Sequence, residues 1–394
     1  MSRVGPLCLA LALSTACGGD EDDHLQPVEL SDPVPSREDT DDEPEEEPPA
    51  PSEDSLVSRE RSLMGTVFQV STFGMPEEQA GPLLERALDE IERLEGVLSE
   101  WQDDSEVSRI NASAGGEAVE VGPDTLAVVN AGVEVSRLSG GAFDLSWAAL
   151  RGLYTFQPGA EVIPPLAQVR SRLALVDWEQ IEVDGGEVRL GREGMAIGTG
   201  GIGKGYALDR AGQILREGGA ESYMLFGGGQ VQVYGLRGDR PWRVGIQHPR
   251  NPSVYIGFLE AENGSISTSG DYEHAFVDRE GTHWHHIIDL ETGLPARRTM
   301  QVTLVTQRGI YADALSTAAF VLGPERALEM IARAPFEVEA VIVDDQLRVH
   351  TTPGTRDRLV MRVRLDEDDR LPGDPEFQRW REPASPIAAE TGED

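Results

Sequence analysis

A chain of 394 residues with 39% hydrophobic content carries enough apolar side chains for one large domain or two smaller ones, which excludes a wholly disordered protein. Its 34 Lys and Arg stand against 70 Asp and Glu, a net charge of −36. With that balance and no basic stripe, nucleic acid is excluded as a partner.

At the N-terminus, Arg3 precedes an apolar run from Leu7 to Leu13, of signal-peptide length and too short to span a bilayer. The run ends in Leu13-Ser-Thr-Ala-Cys17-Gly18, which resembles a bacterial lipobox. Residues 1–17 therefore read as a lipoprotein signal with Cys17 as the acylated first residue of the mature chain; a secreted protein cut nearby is the alternative. Cys8, the other of two cysteines, would leave with the signal, so no disulfide is expected. Residues 18–56 are crowded with Asp, Glu, Pro and Ser and cannot bury enough surface to offset their ordering entropy, so they read as an acidic disordered tether. A folded domain is expected over 57–366 and a polar tail over 367–394. The expected location is the cell envelope, lipid-anchored and facing the periplasm.

Within the domain, Ser62–Thr72 reads as a strand, being rich in β-branched and aromatic residues. From Glu77 to Leu98 the residues Leu84, Ala87, Leu88, Ile91, Leu94 and Leu98 recur at helical spacing. Further helices are predicted over Pro123–Leu138, stopped by Gly140-Gly141, and over Lys204–Arg216, stopped by Gly218-Gly219. Strands follow at Tyr223–Phe226, Gln230–Tyr234, Arg243–Gln247 and Ile256–Ala261. A helix over Ala312–Leu322, a Pro324-initiated helix, and strands Val338–Val343 and Leu347–His350 complete the domain. Strand pairs on short turns, mixed with helices in no strict alternation, predict an α+β fold with mixed, largely antiparallel sheets and packed helices.

Four segments carry candidate chemistry. In Tyr311-Ala-Asp-Ala-Leu-Ser-Thr317, Asp313 and Thr317 lie four residues apart and share a helix face, where two oxygens can hold a hard cation. An Asp early in a helix also serves as an ordinary cap. Gly198-Thr-Gly-Gly-Ile-Gly-Lys204-Gly205 is a glycine-rich turn opening a helix, suited to phosphate. It is not a P-loop, because Gly205 stands where the magnesium-binding hydroxyl belongs. Ser265-Ile-Ser-Thr-Ser-Gly270-Asp271-Tyr272 reads as a loop, its hydroxyls ligating phosphate or capping its own backbone. His283, His285 and His286 invite a zinc reading. Adjacent His285 and His286 would point to opposite faces of a strand, however, and no cysteine assists.

Taken in order, these segments resemble one family, the FAD:protein FMN transferases or ApbE-like proteins. The resemblance runs through Met64-Gly-Thr66, Ser99–Asn111, Gly141-Ala-Phe-Asp144, Gly200–Ala207, Ser267–Glu273, His286-Ile-Ile-Asp289 with Thr292-Gly293, and Ala312–Thr317, roughly residues 60 to 350. It implies an ApbE-like, T-fold-related architecture and a magnesium-dependent enzyme that splits FAD and attaches FMN through a phosphoester to a Ser or Thr of an acceptor protein, releasing AMP. Position by position, it implies that Gly201, Asp313 and Thr317 hold Mg2+. The FAD contacts it implies are Met64, Trp101, Ala142, Phe143, Asp144, Lys204 and Ile287, with position 198 as a further one. His286 and Asp271 remain as alternative bases for the acceptor hydroxyl.

Three departures from the family pattern stand out. Members carry an acid opening the glycine segment, as Asp-Leu-Gly-Gly, where this chain has Gly198-Thr199. Gly229-Gln230 replaces a usual asparagine, and Leu290 replaces a usual proline. The family's acceptors carry a Ser/Thr-Gly-Ala-Thr type sequence. None occurs here, so the acceptor is expected to be another protein at the same membrane, a redox-complex subunit. An FAD pyrophosphatase using water as acceptor, or a non-catalytic FAD-binding lipoprotein, would need the same nucleotide contacts.

Overall fold

The computed structural model describes residues 56–365 apart from 158, 357, 363 and 364. The expected signal, tether and C-terminal tail lie outside the described residues, save Leu56, which opens the first strand.

An eight-stranded sheet organises the domain. Its strands lie side by side in chain order: Leu56–Leu63, Thr66–Phe73, Tyr223–Gly227, Gln230–Tyr234, Asn263–Gly270, Thr299–Thr306, Val338–Asp344 and Val349–Thr351. Every neighbouring pair is antiparallel. Helices α1 (Glu77–Leu98), α2 (Glu106–Ala112), α3 (Pro123–Ser139) and α4 (Leu166–Leu173) come before the third strand, as does α5 (Gly203–Glu217). Helices α6 (Gly309–Leu322) and α7 (Pro324–Ala332) lie between the sixth and seventh. The described residues therefore form an α+β fold.

Both faces of the sheet are covered over its central strands. Phe68, Val70, Leu225, Val302, Leu304 and Ile342 pack with α1, α5 and α6 in one core. Val233, Ile266, Val305, Val341 and Val343 pack in a second core with Trp242, Ile246 and Leu259 of a small sheet formed by Trp242–His248, Asn251–Ala261 and Leu359–Met361. Successive side chains of a strand point to opposite faces, so Thr299–Thr306 and Val338–Asp344 are buried along their whole length, between the two cores. An antiparallel sheet usually leaves one face to water; here the second face is covered over the central strands, while Glu60, Ser62 and Val67 of the first hairpin stay exposed.

Helix α1 matches its periodicity: all six predicted apolar positions are buried. Arg61, on the neighbouring strand, reaches Glu85, Asp89 and Glu92 of α1 at 2.8, 2.9 and 2.6 Å. Two expectations are corrected. The stretch Ser62–Thr72 is a hairpin rather than one strand, because Met64 (φ +48°) and Gly65 (φ +74°) form a tight left-handed turn between Leu63 and Thr66. The hydroxyl-rich stretch at 265–270 is the fifth strand rather than a loop. Its hydroxyls are satisfied by other side chains: Ser267 and Ser269 each pair with Ser316 at 2.8 Å, and Thr268 with Thr303 at 3.0 Å.

Candidate active site

The glycine turn before α5 is held from three directions. Asn111 at the end of α2 bonds both ways with Ile197, at 2.7 and 2.9 Å. Gly198 N–H donates to Leu145 O at 2.8 Å. Thr199 Oγ1 donates to Leu98 O at 2.8 Å, and Thr199 N–H donates to Glu100 Oε2 at 2.9 Å. The stretch Ser99–Asn111 thus acts as a clamp on the turn.

Helices α5 and α6 then touch through backbone. A Cβ on Gly205 would lie 2.0 Å from Gly309 O, and one on Gly309 would lie 2.3 Å from Gly205 O. Only glycine allows this approach. Gly205 is therefore a packing residue, which explains why no hydroxyl stands there. Asp209 of α5 accepts from the N–H groups of Gly309 and Ile310 at 2.6 and 3.1 Å, capping α6 from a neighbouring helix.

This crossing brings Asp313 to the glycine turn. Asp313 is 3% exposed; its Oδ2 accepts from Gly205 N–H at 3.0 Å and its Oδ1 from Gln230 Nε2 at 2.9 Å. Burial pushes its carboxyl above the usual carboxylate range, opposed by the Lys204 charge. Thr317, one turn on, presents Oγ1 at 3.6 Å from the Cβ position of Gly201, and the Phe143 ring lies 3.2 Å from the same position. Lys204 Nζ donates to Gly200 O at 2.7 Å. The turn at Gly228 lies beside Thr66 and the Lys204 stem. Gly201, Lys204, Phe143, Asp313 and Thr317 are therefore brought together. Gln230 was missed by sequence reasoning; its only signal was standing beside the position where the asparagine was expected.

A hard cation suits this donor set. Asp313 carboxylate, Thr317 hydroxyl and the Gly201 backbone are all oxygen donors, and a buried carboxylate held only by neutral N–H groups gains from a cation. The histidines do not form such a set: among the described residues no three His, Cys, Asp or Glu are grouped to hold a metal. His285 is a core residue, fully buried, with Nε2 on Ala296 O at 2.8 Å and its ring against Phe320.

His286 faces the other way and keeps an open side to solvent. Its Nδ1 lies 2.8 Å from Glu273 O. A carbonyl only accepts, so Nδ1 carries the proton and Nε2 keeps a free lone pair. Desolvation by the protein on its inner side, then the charges of His274 and Lys204, push its pKa below the ordinary imidazole value, and the side open to solvent moderates that shift. Asp271 differs: it is 1% exposed, with both oxygens engaged by Arg250 at 2.6 and 2.7 Å.

Of the remaining predicted contacts, Ile287 is buried and the Met64 N–H donates to Glu95 Oε1 at 2.9 Å. Asp144 spends its carboxylate on the Ser146 and Trp178 N–H groups at 2.7 and 2.9 Å. It lines, with Gly141, Ala142 and Asp289, a cavity of about 240 Å³. A second cavity of about 330 Å³, beneath Phe336 and Tyr311, contains none of the predicted site residues. Trp101 is 74% exposed, with the Arg151 guanidinium 4.7 Å from its ring centroid.

The ApbE family model matches residues 64–342. The chain belongs to the ApbE family. This ApbE-family chain is 30% identical over 324 residues to the FAD:protein FMN transferase of Treponema pallidum, covering 77% of this chain and 88% of that protein. It is 29% identical over 288 residues to the FAD:protein FMN transferase of Vibrio cholerae, covering 72% and 86%. Among solved structures, the ApbE protein of Thermotoga maritima is similar at 28% identity and TM-score 0.71, over 77% of this chain and 99% of that one. The flavin transferase ApbE from Vibrio cholerae is similar at 26% identity and TM-score 0.67, over the same shares.

Proposed function

We propose that this chain is a magnesium-dependent FAD:protein FMN transferase, which joins FMN from FAD to a Ser or Thr hydroxyl of an acceptor protein and releases AMP. The observation that carries the reading is the meeting of Asp313 and Thr317 on α6 with the Gly201 turn before α5, an oxygen-only cluster at the mouth of a helix. Seven chain segments, distant in sequence, supply the surroundings of that one place.

Gly201 through its carbonyl, Asp313 and Thr317 would hold Mg2+, which when bound neutralises charge on the diphosphate oxygens. Gln230 and the Gly205 N–H fix the Asp313 carboxylate, and Lys204 adds a positive charge beside it. The N–H groups of Gly198, Thr199, Ile202, Gly203 and Gly205 are spent inside the protein, which leaves those of Gly200 and Gly201 to donate to the diphosphate. Met64, Ala142, Phe143, Asp144 and Ile287 bound the nucleotide, Asp144 by shaping the turn rather than by a free carboxylate. Trp101 offers a flat surface to a ring of FAD.

The acceptor oxygen forms a bond to the FMN phosphorus while the bond from that phosphorus to the bridging oxygen breaks, and AMP departs with that oxygen. His286 Nε2 takes the hydroxyl proton. It is preferred over Asp271 because it is neutral, with a free lone pair, whereas Arg250 occupies both Asp271 oxygens. Incubating the protein with FAD, Mg2+ and an acceptor bearing a Ser/Thr-Gly-Ala-Thr site should add FMN covalently to the acceptor by mass spectrometry. Free FMN with an unmodified acceptor would instead support hydrolysis, and uncleaved FAD would support a binding protein.

The acceptor fits a redox subunit at the same membrane, since the lipobox at Cys17 implies a lipid anchor and a place outside the cytoplasm. No helix among the described residues is long and apolar enough to cross a membrane. A Cys17→Ser variant should appear in the soluble fraction; membrane retention equal to the wild type would contradict the anchor.

A further inference from the structure

The opening of the glycine turn has no side chain at 198, yet the space beside it is filled by a carboxylate. A Cβ on Gly198 would lie 2.4 Å from Glu100 Oε2, and 3.0 Å from Ala148 Cβ and Trp147 Cε2. An acid at 198, as in the family pattern, would have to enter the volume that Glu100 occupies. Glu100 arrives from the segment just after α1, and its side chain is 7% exposed.

Its partners link the turn to the exposed aromatic ring. Glu100 Oε2 accepts from Thr199 N–H at 2.9 Å and lies 3.1 Å from Arg151 Nη2. Arg151 Nη1 donates to Glu100 O at 2.8 Å, and the same guanidinium lies 4.7 Å from the Trp101 ring centroid. A large ring that is 74% exposed would ordinarily sample several rotamers. Here a cation fixed by a buried carboxylate stands against it.

We propose that Glu100 is a positioning residue that supplies, from the neighbouring segment, the carboxylate missing at Gly198, and that through Arg151 it sets Trp101 as the stacking surface for a flat ring of the dinucleotide. The inference rests on the proposed flavin-transferase function. It makes Gly198 and Glu100 one exchangeable pair: the acid belongs to the turn, and either segment can deliver it, but both at once would crowd two carboxylates into one site.

The test measures FAD affinity with Mg2+ by calorimetry, alongside melting temperature, for the wild type, Glu100→Gln, Glu100→Ala, Gly198→Asp and the double variant Glu100→Ala/Gly198→Asp. Glu100→Gln keeps the shape and removes the charge. It should leave the melting temperature unchanged and weaken FAD binding about tenfold, the loss of about 1.4 kcal/mol. Gly198→Asp alone should also weaken binding, and the double variant should recover affinity over Glu100→Ala. If the double variant does not fold, Glu100→Gln decides alone. Wild-type affinity in Glu100→Gln, or a folded double variant no better than Glu100→Ala, would overturn the assignment while leaving the flavin reading intact. Failure of the wild type to take up FAD would overturn both.

Discussion

At the scale of single residues, the site depends on how a few polar groups are held. His286 was visible in the sequence as one of three close histidines, but its role was not. What separates it from His285 is burial and partner: His285 is spent on Ala296 O inside the core, whereas His286 is exposed and engages Glu273 O through Nδ1. Asp271 stood equal to it in the sequence, because the bidentate hold of Arg250 comes from a residue 21 positions away and leaves no local trace. Replacing His286 by Asn should lower kcat by roughly 10²–10⁴-fold, the usual contribution of a positioned base. The pH dependence follows from the lowered pKa. In the proposed role His286 acts while unprotonated, so its acid limb in kcat/KM should lie below the ordinary imidazole value of about 6.5. A limb at 6.5 or above, persisting in the Asn variant, would assign the base elsewhere.

At the scale of elements, the crossing of α5 and α6 decides whether the cluster exists. The helices themselves were legible: α1 from its apolar spacing, α5 from its glycine boundaries, α6 from its apolar run. Their contact was not, because it depends on Gly205 meeting Gly309, more than a hundred residues apart. Gly205→Ala would put a methyl 2.0 Å from Gly309 O. It should cost about 1–3 kcal/mol by overpacking, and it should lower transferase activity because the Gly205 N–H that orients Asp313 must move. Chemical denaturation and a transfer assay would read the two effects; unchanged values in both would mean the helices can separate freely. The two misread strands have the same kind of cause. Met64-Gly65 turns a continuous β-rich run into a hairpin, and pairing on both sides makes a strand of a segment whose Ser and Thr content suggested a loop.

At the scale of the whole molecule, a sheet covered on both faces over its central strands leaves its helix side to build the site. The antiparallel order of the strands follows the chain, which is why the α+β class could be read from the succession of elements. The convergence of seven distant segments could be read only through the family they resemble. The central claim is that the Gly201 turn and α6 together hold a divalent cation against the diphosphate of FAD. Calorimetric titration of the protein with FAD, with Mg2+ and with chelator, in the wild type and Asp313→Ala, tests it most directly. The account predicts FAD binding that is strengthened by Mg2+ in the wild type and indifferent to Mg2+ in Asp313→Ala; no FAD uptake with Mg2+ present, or the same Mg2+ dependence in both proteins, would contradict it.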